Sequence, residues 1–514
     1  MGLFSSKKTA PPPVPTDRVI PFRFADDFVY TRGLCLDISL RFDDVLDPEK
    51  LRESLDVLLN KDGWRKLGAR LRLNKDNKLE YHVPAEFSAQ RPAYLFSTDK
   101  QDMSIGDHPV LSKLPRGQSD KPALFESPKL FRPHVRAPGA PQYLPDWLYA
   151  DIPQLAVHVL TFHDATIVTV TFMHTLTDAM GFVAFIRGWT AVLRGDEDQV
   201  PAFVGFDLSD DPIETLHEGM PSSRYLFADK LVTGWRFFLF VVNFVFELVW
   251  WPKDELRTIC VPGEYLTQLR ESALAELADE AQQTHNDGPA GGKLSSKPPF
   301  LSEGDVLFSW WARIMLRALN PAPQQTICLM NVFDTRGVLC DMDRVASPDI
   351  AMTANATYPL YNLIPAGKFL SKAVPLSWIA SQVRHAIDTL RTPEQVQAQA
   401  AGLRDSARDA GRPPLYGDSG MMLVTCSNWH RGKLFQMDFS AAVVNDNNTG
   451  YDSEKITGYQ KGKPSFVNAT STETGFSIRN SQVILGKDAA GNWWIHSCLR
   501  VGAWKKVREQ LEAI

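Results

Sequence analysis

His174 is followed four residues later by Asp178, where a strand-like run gives way to a helix-like one. An imidazole changes protonation near neutral pH, and in its neutral form it can take a proton from a hydroxyl or amine that is attacking a carbonyl. The elements that would position this histidine are legible. Ala165 to Met173 is β-branched and aromatic with period-two alternation, so Val168, Val170, Phe172 and His174 share one face of a predicted strand that His174 ends. From Asp178 onward Phe182, Phe185, Ile186, Trp189, Val192 and Leu193 recur at helical spacing until Gly195 offers a stop. Asp178 falls where a helix N-terminus favours negative charge. HxxxD alone is a weak signal, because a turn histidine is more often structural than catalytic.

The second half of the chain strengthens it. Phe333-Asp334-Thr335-Arg336-Gly337 is followed by Ser427-Asn428-Trp429 and then by Asp438-Phe439-Ser440. In this order the segments resemble those of the BAHD acyltransferase family, which carries HxxxDG in its first half, D-x-R and T-S-W segments in its second, and then DFGWG. Near the start, Asp47-Pro48-Glu49 opening the run Lys50 to Leu59, and then Gly68-Ala69-Arg70-Leu71, is similar to the family's first helix and following strand, so the resemblance covers most of the chain. It is closer to the divergent fungal branch, which includes trichothecene acetyltransferases, than to the plant members. Two departures stand out. Ala179 occupies the place of the glycine in HxxxDG, with Gly181 close by, and Ser440-Ala441-Ala442 replaces the GWG of DFGWG.

The resemblance implies an α/β fold of two chloramphenicol-acetyltransferase-like domains, each a mixed sheet flanked by helices, with the active-site channel at their interface. It implies acyl-CoA as co-substrate, no tightly bound cofactor, and a small hydroxylated or aminated metabolite as acceptor. His174 would be the general base for direct transfer. Asp178 has two readings: a dyad partner that charges His174, or a residue whose ion pair shapes the turn, which the family pattern favours. Ser427 is the candidate donor to the tetrahedral oxygen and Asn428 the second candidate, since Ala441 has no polar hydrogen to offer. Asp438 and Arg336 are expected to pair and, with Phe439, to set a loop that shapes the CoA channel. Two alternatives stand beside this: a catalytically degenerate relative that binds or regulates, suggested by Ser440-Ala441-Ala442, and a condensation-type enzyme using carrier-bound acyl groups. The latter use HHxxxDG, and here Met173 occupies the first histidine position.

Composition agrees with an intracellular enzyme. The chain has 514 residues, 44% of them hydrophobic, enough for two cores. A net charge of -5, with no Lys/Arg stripe interleaved with aromatics, disfavours nucleic acid. Six cysteines without CxxC spacing and the lack of a secretory leader point to a reduced, cytoplasmic location. There is no glycine-rich phosphate loop, GxSxG elbow or HExxH cluster, so no metal is expected. A monomer is expected.

The expected organisation is a flexible tether over 1–17, a first acyltransferase-like domain over 18–230, a crossover over 231–300, and a second such domain over 301–514. Ser302-Glu303-Gly304-Asp305 has capping-box spacing and opens a helix through Leu319. Gln282 to Pro299 and Arg404 to Gly417 read as loops. Trp235 to Trp251 is the most hydrophobic segment, and on a helix its polar members Arg236, Asn243 and Glu247 fall within about 40° of one another. Its length, roughly 25 Å, is short of a bilayer core. It reads first as a buried crossover helix and second as a helix lying on a membrane. Met1-Gly2-Leu3-Phe4-Ser5-Ser6-Lys7-Lys8 matches M-G-x-x-x-[ST], making Gly2 a myristoylation candidate and reversible, peripheral association with an intracellular membrane an expectation.

Overall fold

The computed structural model describes residues 9–117, 120–287, 298–444 and 459–514. Met1 to Lys8, including Gly2, lie outside them, as do 288–297 of the expected loop. Two large sheets organise the chain. The first has five strands in the order Phe466–Glu473, Leu34–Phe42, Thr166–Met173, Ala156–Thr161, Leu95–Lys100. Its middle strand is the one that ends at His174, and it is buried along its whole length. Phe172 on one face stacks on Phe182 of the helix Ala179–Arg194, with ring centroids 5.6 Å apart. The other face is polar: the Thr169 and Ser39 hydroxyls are 2.8 Å apart, and buried Asp37 accepts from Arg132 and Arg136 at 2.6 and 2.9 Å.

The second sheet has seven strands: Thr357–Pro365, Thr326–Asp334, Met422–Asn428, Ser481–Lys487, Trp493–Arg500, Asp254–Val261 and Ala123–Leu124. The helices Glu303–Leu319, Leu376–Leu390 and Ala503–Glu512 cover one face and share its core. The capping box forms as its spacing requires, Ser302 Oγ accepting from the Asp305 N–H at 3.2 Å and Asp305 from the Ser302 N–H at 2.7 Å.

The sheets exchange strands. Phe466–Glu473, from the second half, pairs antiparallel with Leu34–Phe42, while Ala123–Leu124, from the first, pairs with Asp254–Val261. Asp254–Val261 therefore belongs to the second sheet, although the sequence places it in the 231–300 crossover. The exchange supplies hydrogen bonds to strand edges that would otherwise be open, so the two cores do not divide at one point in the chain.

Two expected loops are partly helical. Helix Gly263–Asp287 runs through Gln282, because no glycine or proline interrupts it before Gly288. Helix Pro393–Ala410 continues past Arg404 to a left-handed cap at Gly411, φ 64°. The apolar helix spans Gly234–Trp250, and none of its residues is buried, which overturns its reading as a buried crossover helix. No helix among the described residues is long and apolar enough to cross a membrane.

Candidate active site

His174 follows directly on the central strand, its N–H donating to Leu34 O at 2.8 Å, and the chain then turns through Thr175–Thr177 into the helix that Asp178 caps. The helix begins here because the Asp178 carboxylate accepts the Gly181 N–H at 2.8 Å, satisfying a donor that has no intrahelical partner. Gly181 takes over the role of the displaced glycine. A Cβ there would lie 2.0 Å from Thr177 Oγ1 and 2.7 Å from Met352 O, so position 181 needs glycine.

The turn is held by residues from the second half of the chain. Arg336 Nη1 and Nη2 donate to the two Asp178 oxygens at 3.0 and 3.1 Å, and the Ala356 N–H donates to the same carboxylate at 2.8 Å. Arg336 also bonds Asp334 at 2.8 Å and Met352 O at 3.0 Å. Burial alone would lower the Arg336 pKa, but Asp178 and Asp334 outweigh it and raise it. Gly181, Arg336 and Ala356 thus occupy both Asp178 oxygens, and among the described residues Asp178 makes no hydrogen bond to the His174 ring. Asn355 completes the clamp. Its Nδ2 donates to His174 O at 3.0 Å and to Asp26 Oδ1 at 2.9 Å, and Asp26 is ion-paired at 2.8 Å with buried Arg23.

The imidazole is left neutral. Burial lowers the His174 pKa below its ordinary 6.5, and its own backbone carbonyl, Asp178, Asp26 and Asn355 oppose the shift without cancelling it. Nδ1 is buried and lacks a hydrogen-bond partner among the described residues.

Ser427 and Asn428 end the strand Met422–Asn428, which runs parallel to Thr326–Asp334 with Ser427 opposite Val332. The sheet thus carries Ser427 and the Asp334-Arg336 segment to the same end. Ser427 Oγ accepts from Trp429 Nε1 at 2.9 Å, and Asn428 Oδ1 accepts the His430 N–H at 3.0 Å.

The expected ion pair between Asp438 and Arg336 does not form. Arg336 is already occupied by Asp178 and Asp334, while Asp438 accepts the Ser440 N–H at 2.9 Å. Phe439 is fully buried, packing edge-on against Phe42 and Trp189 with centroids 5.1 and 5.5 Å away. It fastens the loop to the core of the first sheet and does not line a channel.

A cleft of about 560 Å³ is lined by Met180, in the first turn of the helix that Asp178 caps, and by Asp334, which pairs with Arg336. Asn428, Arg384, Arg391, Arg431 and Lys433 line it together with the N-terminus of helix Glu303–Leu319. Arg384 pairs with Asp305, and Arg431 reaches Asp334 at 3.4 Å. Among the described residues, neither Arg391 nor Lys433 has a carboxylate partner. Two unpaired cations beside a helix N-terminus suit an anionic ligand. Asn355, Asp26, Arg391 and Lys433 carry no short-range sequence signal; only the fold brings them here. No metal-binding cluster occurs among the described residues.

The chain's relatives include proteins named as acyltransferases and others named as regulators. The chain is 42% identical over its full length, and over all of that protein, to the transcriptional regulator sdnM of Sordaria araneosa. It is 40% identical to the acetyltransferase sphE of Aspergillus fumigatus, covering 99% of this chain and 97% of that one. The crystal structure of Fusarium graminearum TRI101 with coenzyme A and T-2 mycotoxin superposes with a TM-score of 0.62 at 15% identity, over 96% of this chain and 97% of that one. No family model matches. The chain belongs to a family of fungal acetyltransferases and O-acyltransferases, and it is an enzyme of acyl transfer.

Proposed function

We propose that His174 is the general base of a direct transfer from acyl-CoA to a hydroxyl or amine of a small secondary metabolite. The observation that carries this reading is a buried imidazole with a lowered pKa, on a turn whose Asp178–Arg336–Asp334 clamp reaches the lining of a cleft with unpaired cations. The acceptor heteroatom attacks the thioester carbonyl while His174 takes its proton. The tetrahedral intermediate then expels the CoA thiolate, which receives that proton from the imidazolium. Arg391, Lys433 and the helix N-terminus supply attraction for CoA phosphates. Because Ser427 Oγ accepts from Trp429, its own hydrogen remains free to donate to the tetrahedral oxygen; Asn428, in the cleft lining, is the second donor candidate.

The chain's Ser440-Ala441-Ala442 and the names of two relatives, sdnM and calD, support a second reading, a regulator that keeps the fold without the reaction. Release of CoA thiol from acetyl-CoA, in the presence of host metabolite fractions, separates the two. Turnover that His174→Ala abolishes without changing CoA affinity establishes the enzyme reading; CoA binding with no turnover under any fraction favours the regulator.

A further inference from the structure

The helix Gly234–Trp250 turns a broad apolar face to solvent. Its polar residues run along the edge where the helix meets the body. Arg236 Nη2 donates to Gly417 O and Asn243 Nδ2 to Ser419 O, each at 2.9 Å, and Glu247 Oε1 lies 3.7 Å from Arg479. Phe237 and Phe240 on the same side pack on the protein, and the Arg412 guanidinium covers the Phe237 ring at 3.5 Å. At about 100° per residue the side opposite Phe237, Phe240 and Phe244 carries Trp235, Phe238, Val242, Phe246 and Val249. It is open to solvent: Val249 is 73% exposed, Trp235 69%, Trp250 65% and Phe246 62%, with Phe238 and Val242 between them. A surface helix normally turns its apolar stripe to the core and its charges to water.

We propose that this outward face docks the protein on the surface of a phospholipid bilayer, with the helix lying in the membrane plane. Three features favour lipid over a protein partner. The residues that make the centre of the outward face, Trp235, Phe238, Val242, Phe246 and Val249, carry no charge, amide or hydroxyl, whereas a protein interface sets polar groups among its apolar contacts to fix orientation. Tryptophans stand at both ends, Trp235 stacked on Phe238 and Trp250 on Phe246 with centroids 5.0 and 5.8 Å apart, where amphipathic indoles suit the headgroup boundary. The face is also a convex half-cylinder of 17 residues, about 25 Å long, too short to span but suited to embedding along its side. Because no charge takes part and the chain is net acidic, attachment draws on apolar burial and survives salt.

The test is vesicle flotation of full-length protein made in bacteria, which add no myristate, so that Gly2 contributes nothing. With phosphatidylcholine vesicles the protein floats equally from about 50 to about 500 mM salt, and its tryptophan emission shifts to the blue. The triple substitution Trp235→Glu, Phe246→Glu, Val249→Glu, all at exposed positions, lowers partitioning at least about tenfold while the melting temperature and CoA affinity stay unchanged. Protein that stays at the bottom of the gradient overturns the proposal. So does binding confined to anionic vesicles and lost at high salt, or a dimer that the triple variant dissolves into monomers, which would assign the face to a second copy.

Discussion

The turn Met173–Asp178 and the loop 427–443 both carry family motif residues, and the chain treats them differently. In the turn the charges are buried and paired across the two halves, so each carboxylate and guanidinium has one geometry. Asp178 takes four donors, from Gly181, Ala356 and both Arg336 amines. In the loop the fixed element is apolar. Phe439 is locked between Phe42 and Trp189, and Gly432 approaches the helix so closely that a Cβ would lie 2.4 Å from Val183. A loop held by packing can lose the polar atoms of Ser440-Ala441-Ala442 and keep its place; a turn held by a buried ion pair cannot lose a partner.

The largest effect expected from breaking this contrast is at the turn. His174→Ala should reduce the rate constant by about 10²- to 10⁴-fold with little change in CoA affinity, measured by single-turnover kinetics and calorimetry. The wild-type pH profile sharpens the assignment. Burial lowers the His174 pKa, so the imidazole is neutral at pH 7, and the acid limb, where protonation removes the base, should have its midpoint below 6.5. A midpoint above that value would move the base elsewhere.

Next comes the clamp. Arg336→Ala leaves Asp178 buried with its charge uncompensated, and a cost of about 3–5 kcal/mol in unfolding free energy is expected. Asp178→Asn keeps the Gly181 cap acceptor and should destabilise less. If the asparagine enzyme melts normally yet loses as much turnover as His174→Ala, the dyad reading replaces the structural one.

Local signals accounted for the strand, the Asp178 cap, the Gly195 stop and the Ser302 capping box, because each depends on neighbours within one or two turns. Non-local choices were not legible. Arg336 has several carboxylates it could meet, and only the fold decides that Asp178 and Asp334 win over Asp438. The strand Phe466–Glu473 reads as a strand in any sheet, and nothing near it reveals that Leu34–Phe42 is its partner. For the helix Gly234–Trp250 the periodicity located a polar stripe correctly, but periodicity does not say which side meets the protein. That the stripe borders the packed side became visible only with its acceptors at Gly417 and Ser419.

A smaller effect is expected at Ser427. Replacing it with alanine should cost roughly 10- to 10³-fold in turnover, with ground-state binding nearly unchanged, because the hydrogen bond strengthens only as charge develops on the oxygen. Trp429 Nε1 also loses its acceptor, so a control is needed. Ser427→Cys keeps a weak acceptor with a poor donor; loss of activity without loss of stability in both variants marks the donor role, and full activity in both passes the assignment to Asn428.

The smallest effect belongs to Asp438. Its carboxylate caps Ser440, and although burial pushes its pKa up, the Ser440 hydrogen bonds, Arg194 and Lys463 outweigh that and lower it. It holds no buried cation as Asp178 does. Asp438→Asn preserves an acceptor for the Ser440 N–H and should change unfolding free energy by less than about 1 kcal/mol and CoA affinity by less than about threefold. Phe439→Ala, one residue along, should cost about 3–5 kcal/mol, because it empties the space between Phe42 and Trp189. The pair tests whether packing or charge holds this loop. Should Asp438→Asn prove the more damaging of the two, the carboxylate would have an unassigned partner in the ligand-bound enzyme, and the division between an ion-paired turn and a packed loop would fail.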